Sequence, residues 1–543
     1  MSSFNGNEIL GMGANISYGM GQNTPEGGEI FNDYENNKAS DIYTHAEGFS
    51  TQALGDKSHA EGDQTIAEGP ASHTEGTKTK TSGPSAHAEG SETTASEWCA
   101  HSEGYKTIAS GRLSHSEGSN TLASAQASHS EGYGTEATGE NSHAEGLSTK
   151  ATNNASHSEG YSTQAKGAFS HAEGHTTIAE GGVSHAEGRL TRAIGDSSHI
   201  EGISANNAPN TINKDSSSDD IINKWDNSKF SLAKGVASHV EGINNIALAD
   251  YTHVEGDTNI AQGSASHVEG KLSKAIGKNS HAEGYNTVAQ NFASHAEGES
   301  TNANGSASHS EGAGTAASGS RSHAEGHRAT ALGNDSHAEG LGDSFVPNSV
   351  NASSSNNDII NAWNSSKFNL AKGECSHTEN NNNLSLGRSS HSEGKNNIAI
   401  GDNSHAEGRG TKTEGEASHA EGIETQAINN MAHAEGYGTT ASGPASHAEG
   451  HSSVASGSRS HAQGSSTVAS GVSSHAGGTG TIAKGESQTV IGKYNKELGD
   501  EALFIVGNGT SDTDRKNAFV VYKDGSIEIN GVKFTSDSLS NKA

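Results

Sequence analysis

Apolar residues are scarce in this chain. Only 29% of its 543 residues are hydrophobic and 5% aromatic, too little for several large conventional cores. Composition alone would class it as disordered. Cysteine is nearly absent: Cys99 and Cys375 stand far apart and cannot form a disulfide framework, so stability has to come from packing. Clustered positive charge is lacking too. With a formal charge of -31, an electrostatic grip on nucleic acid or anionic lipid is not expected. No apolar run is long enough to span a membrane, and Met1–Leu10 lacks the basic start and apolar stretch of a secretory signal.

What the chain does have is order. Ser-His-Ala-Glu-Gly recurs with its histidine at 45, 59, 73 and so on to 199, again from 239 to 337, and again from 377 to 475, always in steps of 14. Three histidines, His175, His327 and His451, lie outside the pattern. A unit reads Ser58-His59-Ala60-Glu61-Gly62, a free pair, then Thr65-Ile66-Ala67-Glu68-Gly69 and another free pair. This spacing predicts two five-residue strands per coil, each closed by a glycine suited to a φ > 0 corner. Alternation along a strand points Ser58, Ala60, Thr65 and Ala67 inward and His59 and Glu61 outward. The expected fold is all-β, a parallel β-roll (β-solenoid) of 14-residue coils. About thirty coils at ~4.8 Å each predict a rod of roughly 140 Å.

The outward positions of the second strand vary, as in Gln52/Leu54, Ile66/Glu68, Lys80/Ser82 and Arg192/Ile194, the behaviour of a solvent face. The outward positions of the first strand hardly vary. The pairs His45/Glu47, His59/Glu61, His73/Glu75, His143/Glu145, His239/Glu241, His337/Glu339, His377/Glu379 and His447/Glu449 exemplify a ladder expected to face copies of the same chain. Adding 31 protonated histidines to a charge of -31 gives zero, so some interior imidazoles are expected to be protonated near neutral pH and hydrogen-bonded to glutamates. Ser, His and Glu are also the residue types of a hydrolytic triad. Alternation separates Ser58 from His59, and a catalytic site repeated in every coil makes no functional sense, so no enzyme is expected. His-x-Glu echoes the zinc deaminase signature, but no Pro-Cys-x-x-Cys partner exists. Imidazoles converging from several chains would suit a metal, yet glutamate already offers a partner, and no metal or other cofactor is expected.

The coil Gln488-Thr489-Val490-Ile491-Gly492 is similar to the Ser-Val-Ala-Ile-Gly repeats of YadA-like trimeric autotransporter adhesin heads, which also use 14-residue coils. The resemblance covers about residues 31–492 in period and glycine placement. It implies a left-handed β-roll in a homotrimer, with the repeat face and hence the His-Glu ladder at the three-fold axis. Here His and Glu replace the valine and isoleucine of that family, and its C-terminal membrane barrel is absent. The Ser-His-Ala-Glu-Gly version resembles repeats of phage and prophage tail-fibre and tail-spike proteins of Gram-positive bacteria. The segments Ala502–Gly509 and Asn517–Gly525 resemble the region C-terminal to those repeats, though no self-cleaving chaperone is recognisable. The resemblance implies a tail fibre located on a virion tail or a cell surface. Its partners would be a host surface glycan or protein receptor and other tail or appendage proteins. A bacterial surface or spore-appendage adhesin is the alternative. A glycan-degrading spike is a third reading, for which Asp219, Asp220 and Asp358, acidic residues outside the periodic pattern, are the candidates.

Domain limits coincide with the breaks in period: an attachment segment at 1–30, roll segments at 31–202, 233–340 and 371–492, inserts at 203–232 and 341–370, and a small C-terminal β domain at 493–543. The inserts are copies of each other. Ser217–Trp225 matches Ser355–Trp363, and polar capping residues ahead of Ile221, Ile222 and Trp225 predict a short amphipathic helix in each. Trp225, Phe230, Trp363 and Phe368 either pin each insert to the roll or form a ligand-binding protrusion. In the C-terminal segment, Leu503–Val506, Ala518–Tyr522 and Ser526–Ile529, with Asp524-Gly525 between the last two, predict antiparallel strands.

Overall fold

Small residues at every second position let successive coils lie directly on one another. A computed structural model describes residues 16–18, 37–41 and 43–535 and divides into two compact units, residues 1–271 and 272–543. The expected 1–30 attachment segment lies outside the described residues except for the strand Ile16–Tyr18, which pairs antiparallel with His45–Phe49. Residues 31–36, the start of the first expected roll segment, also lie outside them. The first unit contains fifteen first strands, from His45–Phe49 to His267–Lys271. The second contains thirteen, from His281–Tyr285 to His475–Thr479, and then Thr489–Lys493.

Each unit is a parallel β-solenoid with strict register. His59 pairs with His73, Glu61 with Glu75 and Gly62 with Gly76, and on the other side of the coil Ala67 pairs with Thr81. The interior is as alternation predicts, with Ser58, Ala60, Thr65 and Ala67 all fully buried. Many hydroxyls there are satisfied locally. The Ser72 Oγ donates to Gly69 O at 2.7 Å, bracing the corner before His73. Where serine replaces the inner alanine it can pair with the threonine across the coil, as Ser102 does with Thr107 at 2.7 Å. Such bonds let a core of Ser, Thr and Ala be dry at a small polar cost.

The corners differ from the sequence expectation. The second strand is only two residues long, as in Ile66–Ala67, and the left-handed corner residues are mostly non-glycines two positions after each glycine, such as Lys57, Gln64 and Ala71 at φ 55–59°. Their N–H groups bond across coils, Gln64 N to Phe49 O at 2.7 Å, which offsets the strain of ~1–3 kcal/mol at such a residue. Gly62 serves another purpose. It sits inside a strand at φ +113°, and a Cβ there would lie 2.0 Å from the Gly76 carbonyl oxygen of the next coil.

The inserts leave after a first strand and return at a second strand without loss of register, His199 pairing with His239 and Ala193 with Ala233. Helix α1 (Ser218–Asn227) is capped by Ser217, whose Oγ accepts from Asp220 N at 3.2 Å. Helix α2 (Asn356–Ser365) is capped the same way by Ser355. Under α1 lie Ile194, Leu232, Ile246, Leu248 and Ile260, and under α2 Leu370, Leu384, Leu386 and Ile398. The outward second-strand face is therefore not uniformly a solvent face. Arg192 and Ile194 are buried beneath the first insert, where Arg192 donates to Glu180 Oε2 at 2.9 Å and to the carbonyls of Pro209 and Ile212.

The C-terminal segment begins as one more coil strand: Ala502–Asn508 pairs in parallel with Thr489–Lys493. Asn517–Tyr522, Ile527–Ile529 and Val532–Phe534 then add antiparallel. Ala476, Ala483, Val490, Ile505 and Val520 share one continuous core, so the segment closes the open end of the second unit instead of standing apart from it. Replacing Gly62 with alanine is expected to lower stability by at least ~1–3 kcal/mol. Ala71→Gly at a corner is expected to change it by less than ~1 kcal/mol, relief of the left-handed strain offsetting the added chain entropy. Thermal unfolding of both variants checks the contrast.

Candidate functional site: the histidine and glutamate face

In-register stacking converts one outward histidine per coil into a column. In the first unit the rings from His45 to His267 form a continuous column, stacked except for a 36° tilt between His59 and His73, for example His115 on His129 at 4.7 Å between centroids and 3° between planes. His239 joins this column across the first insert, 4.9 Å from His199. In the second unit His281 to His461 do the same, and His337 and His377 stack at 4.7 Å across the second insert. The column loosens where its glutamates end. Gln463 and Gly477 replace them, and the His475 ring tilts 53° against His461.

The glutamates form a second column beside the first, with Glu47, Glu61 and Glu75 mutually in register and Glu145 beside Glu159. In the remaining coils of the ladder, Glu241 aligns with Glu201, Glu339 with Glu325 and Glu449 with Glu435. Within a coil, His Nε2 and Glu Oε2 stand 3.4 Å apart for His59 and Glu61 and 3.6 Å for His115 and Glu117, beyond the span of a good hydrogen bond. A bond of 3.2 Å joins His391 Nε2 to Glu379 Oε1, one coil away. Within one chain the first-strand face is thus chiefly a ladder of stacked rings. In His73, His115, His143, His239, His337, His377 and His447, among others, Nε2 is shielded from solvent without a hydrogen-bond partner.

Within one chain the local electrostatics run against protonation at several of these rings. Partial burial and then the neighbouring imidazoles hold His101, His115 and His129 below the usual value of 6.5, and the glutamates only partly offset this. Two rings one strand spacing apart cannot both become charged without repelling each other. Burial, and after it the flanking Glu145 and Glu117, pushes Glu131 up. Stacked like charges therefore leave most of the column's negative charge uncompensated within the coil.

The four insert aromatics are buried. Trp225 Nε1 donates to Phe230 O and Asn244 O, both at 3.0 Å, and Trp363 Nε1 makes the same pair of bonds to Phe368 O and Asn382 O. Phe230 and Phe368 are fully enclosed. Each aromatic pair pins its insert to the coils, and Lys229 and Lys367 cover the outer faces of the indoles. Asp220 pairs with Lys224 one helical turn on, at 2.6 Å. Asp219 and Asp358 lie in the first turns of the helices, where a carboxylate favours the helix dipole.

Five stretches, residues 46–72, 269–289, 310–336, 324–342 and 434–460, match the YadA head domain repeat. The coil is a YadA-head-like repeat. No curated protein matches the chain. This match, together with the β-solenoid fold, supports a structural, adhesin-like fibre as the coarse class of the chain. Sequence reasoning passed over one column of this face, the fourth residue after each histidine. It carries Tyr105, Tyr133, Leu147 and Tyr161, which are 37–57% exposed, while His175 stacks on Tyr161 at 4.8 Å. Their spacing in multiples of the repeat was the available signal.

The depressed imidazoles set the pH dependence. Their stabilising contribution is present above 6.5, the ordinary value for the unfolded chain, and is lost as pH falls through the lower folded values. The raised Glu131 and Glu435 act in the opposite sense but are fewer. The melting temperature is expected to fall between about pH 7.5 and about pH 5. Melts across that range check this; a flat or rising profile contradicts it.

Proposed function

We propose that this chain is a fibre subunit that forms a homotrimer through its His-Glu face and serves as a phage or prophage tail fibre contacting a bacterial surface. The observation that carries the trimer is the face itself. It presents shielded imidazole nitrogens, those of His115, His129 and His143 among them, with no hydrogen-bond partner in their own chain, flanked by an exposed apolar seam at Tyr105, Tyr133, Leu147 and Tyr161. Buried polar groups require partners, and an exposed apolar strip beside them favours association. A second copy of the same face buries the strip and closes over the column beside it. The tail-fibre assignment rests on the resemblance of the Ser-His-Ala-Glu-Gly repeat and of the segment after it. A bacterial appendage adhesin of the same build would be found on cells without lysis. The receptor is a surface glycan or protein, and no catalytic step is assigned to the chain.

Light scattering on the purified protein is expected to give three times 55.4 kDa. Tyr133→Lys together with Tyr161→Lys is expected to shift the mass toward monomer while the β-rich circular dichroism persists. A monodisperse wild-type monomer overturns the trimer. Co-purification with tail proteins after lysis, and binding of labelled protein to host cells, test the fibre role separately.

A further inference from the structure

We propose that the His-Glu face is a repeated binding site for first-row divalent metal ions of the zinc class, each ion held by the histidine Nε2 and glutamate carboxylate of one coil. Three independent features of the coils His115 to His143 lead there. First, the His115 Nε2 and Glu117 Oε2 are 3.6 Å apart, and the corresponding pair at His129 and Glu131 is 3.5 Å apart. Such a separation is long for a hydrogen bond. It is close to the roughly 3.4 Å that separates two ligands ~2.0–2.2 Å from one tetrahedral zinc.

Second, the imidazole nitrogens of His115, His129 and His143 are shielded from solvent and lack hydrogen-bond partners. Third, Glu117, Glu131 and Glu145 stack in register, and no lysine or arginine stands in the adjoining column between Tyr105 and Tyr161. A divalent ion between imidazole and carboxylate supplies the missing positive charge.

The donor set of imidazole nitrogen and carboxylate oxygen suits Zn²⁺, Co²⁺ and Ni²⁺ better than Mg²⁺ or Ca²⁺. His115, Glu117 and His129 present ligand atoms all within 4.8 Å of one another, and the same grouping recurs through His157. Because the rings are parallel, two successive nitrogens do not converge on one point. Each ion therefore takes one His-Glu pair, with water or a slightly rotated neighbouring imidazole completing its shell. The pair belongs to one coil of one chain, so the site does not depend on the trimer.

The test uses the full chain in its native assembly, stripped with EDTA and dialysed against Co²⁺ or, separately, Zn²⁺. The expected result is the intense visible absorption of tetrahedral Co²⁺ and several Zn²⁺ ions per chain by elemental mass spectrometry. The triple variant His115→Gln, His129→Gln, His143→Gln and the triple variant Glu117→Gln, Glu131→Gln, Glu145→Gln should each lose bound metal in proportion to the coils altered. If either variant fails to fold, protection of the wild-type imidazoles from diethyl pyrocarbonate by Zn²⁺ reads the same ligands. Less than one ion per chain overturns the proposal. So does weak octahedral Co²⁺ absorption unchanged by the histidine replacements, or imidazole modification that Zn²⁺ does not slow.

Discussion

Every residue of a coil lies on its own counterpart one strand spacing away, and this stacking of like on like governs the rest of the structure. At the constant positions a side chain is admissible only if it can sit ~4.8 Å above and below residues of the same kind. Alanine meets this in the interior, serine and threonine meet it by bonding within the coil, and imidazole meets it by ring stacking. The first-strand glycine meets it because nothing larger fits against the carbonyl of the next coil. Glutamate meets it least well. Its column runs beside imidazoles several of which burial biases toward the neutral form, and that makes this face the electrostatically unfinished part of the coil.

Departures from the period obey the same constraint. An insert leaves at one corner and returns at the next strand, so the histidine column passes it uninterrupted. The apolar residues that appear at second-strand outward positions near the inserts, Ile194, Leu248 and Leu386 among them, are the ones the helices cover. At the C-terminal end the alanines give way to Val490, Ile505 and Val520, larger side chains where a final strand and a hairpin replace the next coil. Apolar bulk thus marks the places where repetition stops.

Much of this is legible in the sequence because the period is 14 residues without slippage: the parallel coil, the inward Ser, Ala and Thr, the two capped helices and the Asp524-Gly525 turn. The corner chemistry is not. Glycine reads as the turn residue, whereas the left-handed positions Lys57, Gln64 and Ala71 belong to the variable pairs and carry no compositional mark. Arg192 and Ile194 read as solvent-facing because only the folded insert shows what covers them. The charge state of the histidines also escapes a sequence reading. A matching count of histidines and net negative charge suggests pairing, but protonation depends on the ring above and below, which together with burial outweighs the glutamate beside it.

The in-register column braces each unit, and the association proposed above would use the same column of residues. The central claim is that this column is a stack of neutral imidazoles. The direct measurement is the pH titration of imidazole ¹⁵N chemical shifts in the assembled protein. The account predicts neutral tautomers at about pH 7 and midpoints below the ordinary 6.5 for His101, His115 and His129. Midpoints at or above that value would show charged rings paired with glutamate, and would contradict it.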